Sequence, residues 1–456
     1  MTGKFEIRNP YDNALLQEVE FDDIQTVESS VQKVVSGRKD ILKIPAFERS
    51  DILRNLAELI KQNAEELATI ITEESGKTLS DSRVEIMRAI NTTIASSEEA
   101  RQISGEVLDS DAYPPARGRL GLACWRPMGT ILCITPFNFP VNIAMHKIGP
   151  AFAAGNTILF KPALQNYPSS KLLTNLCYEA GITENVLQMV LPDIPDMGTL
   201  IKHDEVHAIN FTGGTMAADA IAAQSGYKKL LFELGGNDPL IIMPDADVEK
   251  AIDTAINHRF AGAGQRCTAA KRVFIHNDVY NSARDMLVEK TSKLKVGNPR
   301  EDDTFVGPVI SGQSADAVMH TISKAIEGGA TVTCGNKRDG NVIDPTILEN
   351  ITADSILMNE EVFGPVIPLY KFNDVDEIIP VINNSPYGLQ AGMYTNDLSL
   401  ARRMFEELEV GALAINDGPG FRAEHYPFGG VKHSGIGREG IKYAIREMSY
   451  IKTLVV

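Results

Sequence analysis

The sequence predicts an α/β fold: two doubly wound α/β domains and a small β arm that leaves them. From about residue 129, short apolar strands alternate with helical stretches, the pattern of a parallel sheet covered on both faces. Turn-rich motifs fall at the carboxyl ends of those strands, where such sheets bind ligands. A stretch with two prolines and two glycines, 106–126, and the strand-like last residues, 449–456, stand outside the alternation. With 456 residues, the length also suits two or three domains better than one core.

The chain opens on a strand through Phe5 and Ile7, and Asn9-Pro10 turns it. Apolar residues at Leu53, Leu56, Leu59, Ile60, Leu67, Ile70 and Ile71 predict one long helical region ending near Gly76. A second helix is expected from about Leu79 through Arg101, with Arg83 and Arg88 on a solvated face. The βαβ series that follows runs through strand 129–134, the turn TPFNFP, helix 141–154 and strand 157–161. Helix 168–180, strands 187–190 and 206–211 and the turn Thr212-Gly213-Gly214 complete it. After LLFELGGNDPLII a second unit begins, with strand 238–243, a helix from Val248, strand 272–276 and helix 278–294. The arm and the terminal strand are edge material, which points to a homodimer or homotetramer.

Composition narrows the class. The formal charge is 44 minus 60, or −16, spread along the chain, which disfavours nucleic acid and anionic membranes as partners. No apolar run reaches spanning length and the polar start MTGKFEIRNP does not read as a signal peptide, so a cytoplasmic protein is expected. Five scattered cysteines without CxxC, and eight histidines without HExxH, suggest neither a disulfide framework nor a metal site. An anionic ligand would need a local cationic pocket against this mean field.

The candidate chemistry centres on FAGAGQRCTAAKR, Phe260–Arg272. Small residues let the backbone approach closely, and Cys267 follows Gln265 and Arg266. A cation and peptide N–H groups beside the sulfur would lower the thiol pKa and raise the thiolate fraction. A buried structural thiol is the alternative reading of the loop alone. Glu233, at the end of an apolar strand and before two glycines, is a candidate base with its pKa raised by desolvation, or else a carboxylate bonded in the turn. FTGG, Phe211–Gly214, suits phosphate at a helix N-terminus, although neither GxGxxG nor a P-loop is present.

Taken together, TPFNFP, FTGG, FELGGNDP, GQRC, EEVFGP and PFGGVKHSG, in this order, resemble the aldehyde dehydrogenase superfamily over nearly the whole chain. The 34 positions from Glu233 to Cys267 also fit it. The resemblance implies a dinucleotide-binding domain of 1–107 and 127–234, a catalytic domain of 235–434, and an oligomerisation arm of 108–126 and 440–456. It implies Cys267 as nucleophile, Asn138 as oxyanion donor with the Cys267 N–H, and Glu233 as the base that activates water on a thioester. NAD or NADP would be held by Thr135, Pro136, Phe137, Lys161, Phe211, Thr212, Gly213, Gly214, Glu361 and Phe363. Three departures stand out. Leu164 replaces a carboxylate that would repel a 2′-phosphate, Gly214 replaces a serine, and Gly262 replaces an asparagine.

On the substrate side, the resemblance places His146, Arg266 and Arg422 at tunnel positions, with Arg88 as a fourth candidate. Guanidinium forks suit phosphonate, sulfonate or carboxylate oxygens, so a small anionic aldehyde is expected. The arginines could instead be paired with Glu424 and other acids. The motifs are similar to phosphonoacetaldehyde, sulfolactaldehyde and lactaldehyde dehydrogenases. Succinate-semialdehyde and non-phosphorylating glyceraldehyde-3-phosphate enzymes remain alternatives, as do a CoA-acylating enzyme and a noncatalytic binding protein that retains the fold.

Overall fold

The computed structural model describes residues 3–456. Two sheets carry the architecture. The first has six strands in the order Gly435–Ile436, Lys229–Glu233, Ala208–Thr212, Thr130–Ile134, Thr157–Lys161 and Leu187–Met189. All of its pairings are parallel except that of Gly435–Ile436. The second has seven strands in the order Thr331–Cys334, Thr346–Glu349, Val366–Phe372, Arg272–His276, Pro239–Ile242, Gln390–Tyr394 and Ala412–Ile415. Only its first strand runs antiparallel. The central strands, TILCI and PLII, are buried on both faces, which is why they read as continuous apolar runs without alternation.

The arm is a three-stranded antiparallel sheet of Glu106–Leu108, Gly121–Pro127 and Ser449–Val455. The expected arm segment 440–456 divides in two, however. Ile441–Glu447 is a helix whose Ile441, Ala444 and Ile445, with Met448 after it, are buried in the core beneath the six-stranded sheet. Only the residues after it join the arm. The short amphipathic stretch was masked by its proximity to the strand-like tail.

The single helical region expected up to Gly76 is also two helices, Ala46–Gln62 and Ala64–Ser75. Asn63 leaves helical geometry and its Nδ2 donates to the Leu59 carbonyl at 2.8 Å. An asparagine that bonds backbone in this way competes with the helix ladder.

Helix Pro140–Ala154 packs on the six-stranded sheet and against the helices that cover it. Every one of its residues is buried. Its first N–H groups have no intrahelical acceptor, and a carboxylate from another helix supplies one. Glu85, on helix Leu79–Ala100, accepts from the N–H of Val141 at 2.9 Å and of Asn142 at 3.1 Å. The other Glu85 oxygen is bonded by buried Lys77, whose ammonium stands 3.9 Å from the Phe139 ring centroid. Removing one partner of such a pair strands the other charge away from water. Glu85→Ala is therefore expected to lower stability by about 3–5 kcal/mol, read as a lower thermal midpoint, and Glu85→Gln by less because the amide oxygen still accepts from the helix end.

Candidate active site

The nucleophile loop follows helix Val248–Phe260 and turns through three successive left-handed residues, Gly262, Ala263 and Gly264. Gly264 has no alternative, since an added Cβ would lie 2.3 Å from the Gly364 carbonyl oxygen. Three side-chain bonds from distant segments fix the loop. The Gly262 N–H donates to Asp81 at 2.8 Å, the Asn138 Nδ2 donates to the Gln265 carbonyl at 2.9 Å, and Gln265 Oε1 accepts from the Ile310 N–H at 2.9 Å. The carbonyl partner settles which end of the Asn138 amide is nitrogen. It also leaves the second N–H of that amide free beside the residues that precede Cys267.

Cys267 is half-buried and reduced. Burial pushes its thiol up to about 11; Lys271 and Arg422 pull it down, and Asp238 and Glu361 push it up. This corrects the expectation that Arg266 acidifies the sulfur. Desolvation outweighs the nearby cations, and the cation that opposes it most is Lys271.

Glu233 ends strand Lys229–Glu233, buried, with its carbonyl accepting from the Gly213 N–H at 3.1 Å. Its Oε2 has no partner. Burial, followed by the negative charge of Glu439, raises its pKa well above the usual carboxylate range. Burial opposes ionisation of Glu439 as well, but the paired Lys147 and Arg422 outweigh it and hold that carboxyl well below the usual carboxylate range. Glu439 accepts from Lys147 at 3.1 Å and Arg422 at 2.7 Å, and Lys147 also donates to Asn210 at 2.6 Å. Two acids in one environment are thus driven apart, one neutral and one charged.

Arg88 is drawn into the same region and is not on a solvated face. Burial, then Arg422 and Arg266, push its pKa down to about 10, while Arg83 is the surface residue, paired with Glu65 and Asp302. Arg422 pairs with Glu439 where Glu424 was considered, and it stacks over Phe428 at 3.9 Å. The Nε atoms of Arg266 and Arg422 are both buried without a partner. His146 is not a cation here: burial, with Arg422 beside it, holds its pKa well below the ordinary value. Thr92 donates its one hydroxyl hydrogen to Asn142 at 3.0 Å, so it accepts from His146 Nε2 at 3.3 Å. His146 Nδ1 is left as an unpartnered acceptor.

Most of the residues expected to hold the cofactor lie at or just beyond strand ends of the six-stranded sheet. Gly213 packs on Phe211 so closely that a Cβ would fall 2.4 Å from its ring, and Gly214 precedes helix Thr215–Ala222 with nothing within 4 Å of where its Cβ would be. That helix has no side-chain cap, so its N–H groups are open to an anion. The Oγ1 atoms of Thr135 and Thr212 are buried and unpartnered. Pro136 and Phe137 are partly exposed in the turn, and Phe137 meets Phe363 edge-on at 6.0 Å. Lys161 ends strand Thr157–Lys161, partly exposed. Glu361 rests on the Gly235-Gly236 turn, accepting from the Gly236 N–H at 3.2 Å. Phe211 departs from its expected place: its ring is core, edge-on to Phe232 at 5.8 Å. Leu164 packs on the small cluster of Ile7, Val19 and Leu191 and brings no carboxylate to the crevice. These groups fit a dinucleotide.

Lys147, Glu439, Lys271, Asp81 and Glu85 were missed in the sequence. Lys147 carried a signal, since a lysine inside the otherwise apolar run PVNIAMHKIGPAFAA must find a buried partner. The others sit at ordinary helix or turn positions and acquire meaning only from their tertiary contacts.

A family profile described as "Aldehyde dehydrogenase family" matches residues 1–454. A sulfoacetaldehyde dehydrogenase of Neptuniibacter caesariensis is 61% identical over 456 residues, 100% of each chain. A 3-sulfolactaldehyde dehydrogenase of Priestia aryabhattai is 38% identical, covering 99% of this chain and 95% of that one. The crystal structure of a glyceraldehyde-3-phosphate dehydrogenase from Methanocaldococcus jannaschii, complexed with NADP, is similar with a TM-score of 0.94. It is 35% identical, with 99% of this chain and 98% of that one covered.

A thiol held near 11 alkylates slowly at neutral pH. In the protein without ligands, iodoacetamide labelling of Cys267 is expected to quicken about tenfold per pH unit between pH 7 and 10, with no plateau in that range, as followed by peptide mass spectrometry.

Proposed function

Since the chain belongs to the aldehyde dehydrogenase family, we propose that it oxidises a short anionic aldehyde, sulfoacetaldehyde foremost, to the corresponding acid with NAD or NADP. The observation that carries this reading is the convergence of Arg88, Arg266 and Arg422, two of them with buried, unpartnered Nε–H donors. Acids beside the cluster offset part of its charge but leave these two donors unpartnered, so an anion would complete their hydrogen bonding. A sulfonate is charged at every working pH and accepts from guanidinium forks. The high identity to a protein named as a sulfoacetaldehyde dehydrogenase supports sulfonate over phosphonate. His146, neutral, forms part of the wall and leaves anion recognition to the arginines.

The proposed chemistry uses groups already described. Cys267 gives up its thiol proton to solvent and reacts as the thiolate: Sγ bonds the aldehyde carbon, the C=O π pair moves onto oxygen, and the free Asn138 amide N–H with the Cys267 N–H receives the negative charge that develops there. When bound, the nicotinamide ring supplies the hydride acceptor, leaving a thioester on Cys267. Glu233 then takes a proton from water, the water oxygen bonds the acyl carbon and the C–S bond breaks, releasing the acid. Thr135, Thr212, Gly213, Gly214, Lys161, Glu361 and Phe363 would hold the dinucleotide, and the absence of a carboxylate at Leu164 leaves room for a 2′-phosphate. The outward apolar side chains of the arm, Val107, Ile451, Leu454 and Val455 among them, support assembly as a homo-oligomer.

Steady-state kinetics on sulfoacetaldehyde, 3-sulfolactaldehyde, phosphonoacetaldehyde, succinate semialdehyde and propanal, each with NAD and NADP, test the reading. Sulfoacetaldehyde is expected to exceed propanal in kcat/KM. Arg266→Ala should reduce kcat/KM for sulfoacetaldehyde about 10–100-fold, the worth of a charge-assisted hydrogen bond, and leave propanal nearly unchanged. Equal efficiency on propanal would sink the anion pocket.

Thioester hydrolysis should depend on pH in a defined sense. Because Glu233 has a raised pKa, it is protonated and idle at low pH and becomes a base as pH rises through its titration. The deacylation rate, isolated by single-turnover acid release, is expected to climb with pH. Glu233→Gln should remove that limb and slow release by about 10²–10⁴-fold.

A further inference from the structure

Lys271 has no part in the scheme above, yet its side chain is only 1% exposed. A buried ammonium remains charged only if its partners replace water. Lys271 has two, and they belong to different parts of the site. Its Nζ donates to the backbone carbonyl of Cys267, and it pairs with Glu361 at 2.9 Å. Glu361 is itself pressed onto the Gly235-Gly236 turn: an added Cβ at Gly235 would fall 2.1 Å from its Oε2. Behind the ammonium lies Asp238, whose backbone carbonyl accepts from the N–H groups of Lys271 and Arg272 at 3.0 and 3.2 Å. Burial pushes the Asp238 carboxyl up to about 8, while the ion pair of the Lys271 ammonium is made with Glu361.

The geometry points to Lys271 as a positioning residue that ties the cofactor-side carboxylate Glu361 to the peptide of the nucleophile Cys267. The bond to the Cys267 carbonyl fixes the peptide plane that follows the sulfur, and the ion pair fixes how far Glu361 extends over the crevice. The groups that face the thiol are Lys271 and Arg422, which favour its ionised form, and Asp238 and Glu361, which oppose it. Loss of the ammonium therefore disfavours the thiolate, and loss of the Glu361 charge favours it. The inference rests on the aldehyde-oxidising reading only for the role of Glu361 toward cofactor.

The test uses the full chain in two assays. The first is the pH profile of iodoacetamide labelling of Cys267 without substrate or cofactor, and the second is the KM for NAD or NADP against that for aldehyde. Lys271→Met, shown folded by circular dichroism and its thermal midpoint, is expected to slow labelling at pH 9 about tenfold, the effect of one unit of thiol acidity. It should also raise the cofactor KM several-fold while the aldehyde KM moves less than twofold. Glu361→Gln should move labelling the opposite way, faster at the same pH, and the cofactor effects of the two substitutions should be less than additive in the double variant. Unchanged labelling in folded Lys271→Met, or fully additive cofactor effects, overturns the proposal. If Lys271→Met does not fold, Glu361→Gln decides alone: faster labelling upholds the link and unchanged labelling overturns it. Labelling needs neither aldehyde nor cofactor, so a failure of the substrate reading leaves this result intact.

Discussion

The site depends on how one buried carboxylate, Glu439, is kept charged. Lys147 and Arg422 converge on it from a helix and a loop, and the ionisation they enforce acts on Glu233 beside it. Two carboxylates in one dry region cannot both ionise cheaply. The cations decide which one does, and they are placed against Glu439. The outcome is a charged acid that anchors the loop carrying Arg422 and, beside it, an acid whose ionisation is opposed. Arg422 therefore serves two sides, holding Glu439 with one nitrogen while its Nε remains unpartnered.

The cation cluster also answers the mean field of the chain. A formal charge of −16 repels a free anion at long range, but that field is screened over roughly 8 Å at physiological salt. Inside the site the effective dielectric is lower, and three guanidinium groups within reach of one another dominate. Their mutual repulsion is held in check by Glu439, Glu424 and Glu85. The buried imidazole of His146 responds by giving up its charge, as the most easily neutralised member of the group.

Legibility in the sequence followed the range of the interactions. Strands such as Thr157–Lys161 and Arg272–His276 were visible because a buried parallel strand must be apolar throughout, and that constraint is local. Cys267 and Glu233 stood out as residues with chemistry beside distinctive glycine-rich turns, whereas the role expected of Asn138 came only from the resemblance of the whole set of motifs. The break at Asn63 was hidden because the apolar stripe continues across it, and one side-chain bond decides the issue. Glu85 and Asp81 were hidden for a deeper reason. They act on backbone N–H groups 56 and 181 positions away, and nothing in a local window marks a glutamate or aspartate that will bond the backbone of another element. The elevated thiol pKa was missed because the cations near Cys267 could be counted, whereas the desolvation that outweighs them could not.

The return of the chain to its first sheet has a consequence for how the protein is made. Strand Gly435–Ile436 pairs with Lys229–Glu233, and Ile441, Ala444, Ile445 and Met448 fill a core whose other walls are built from residues 41–231. On a ribosome the first sheet therefore emerges with an open edge and an unfilled core, and stays so while some two hundred further residues are synthesised. The second unit closes within its own stretch of chain, since its sheet runs from Pro239 to Ile415. The first half of the molecule must wait for the last, exposing apolar surface to chaperones in the interval.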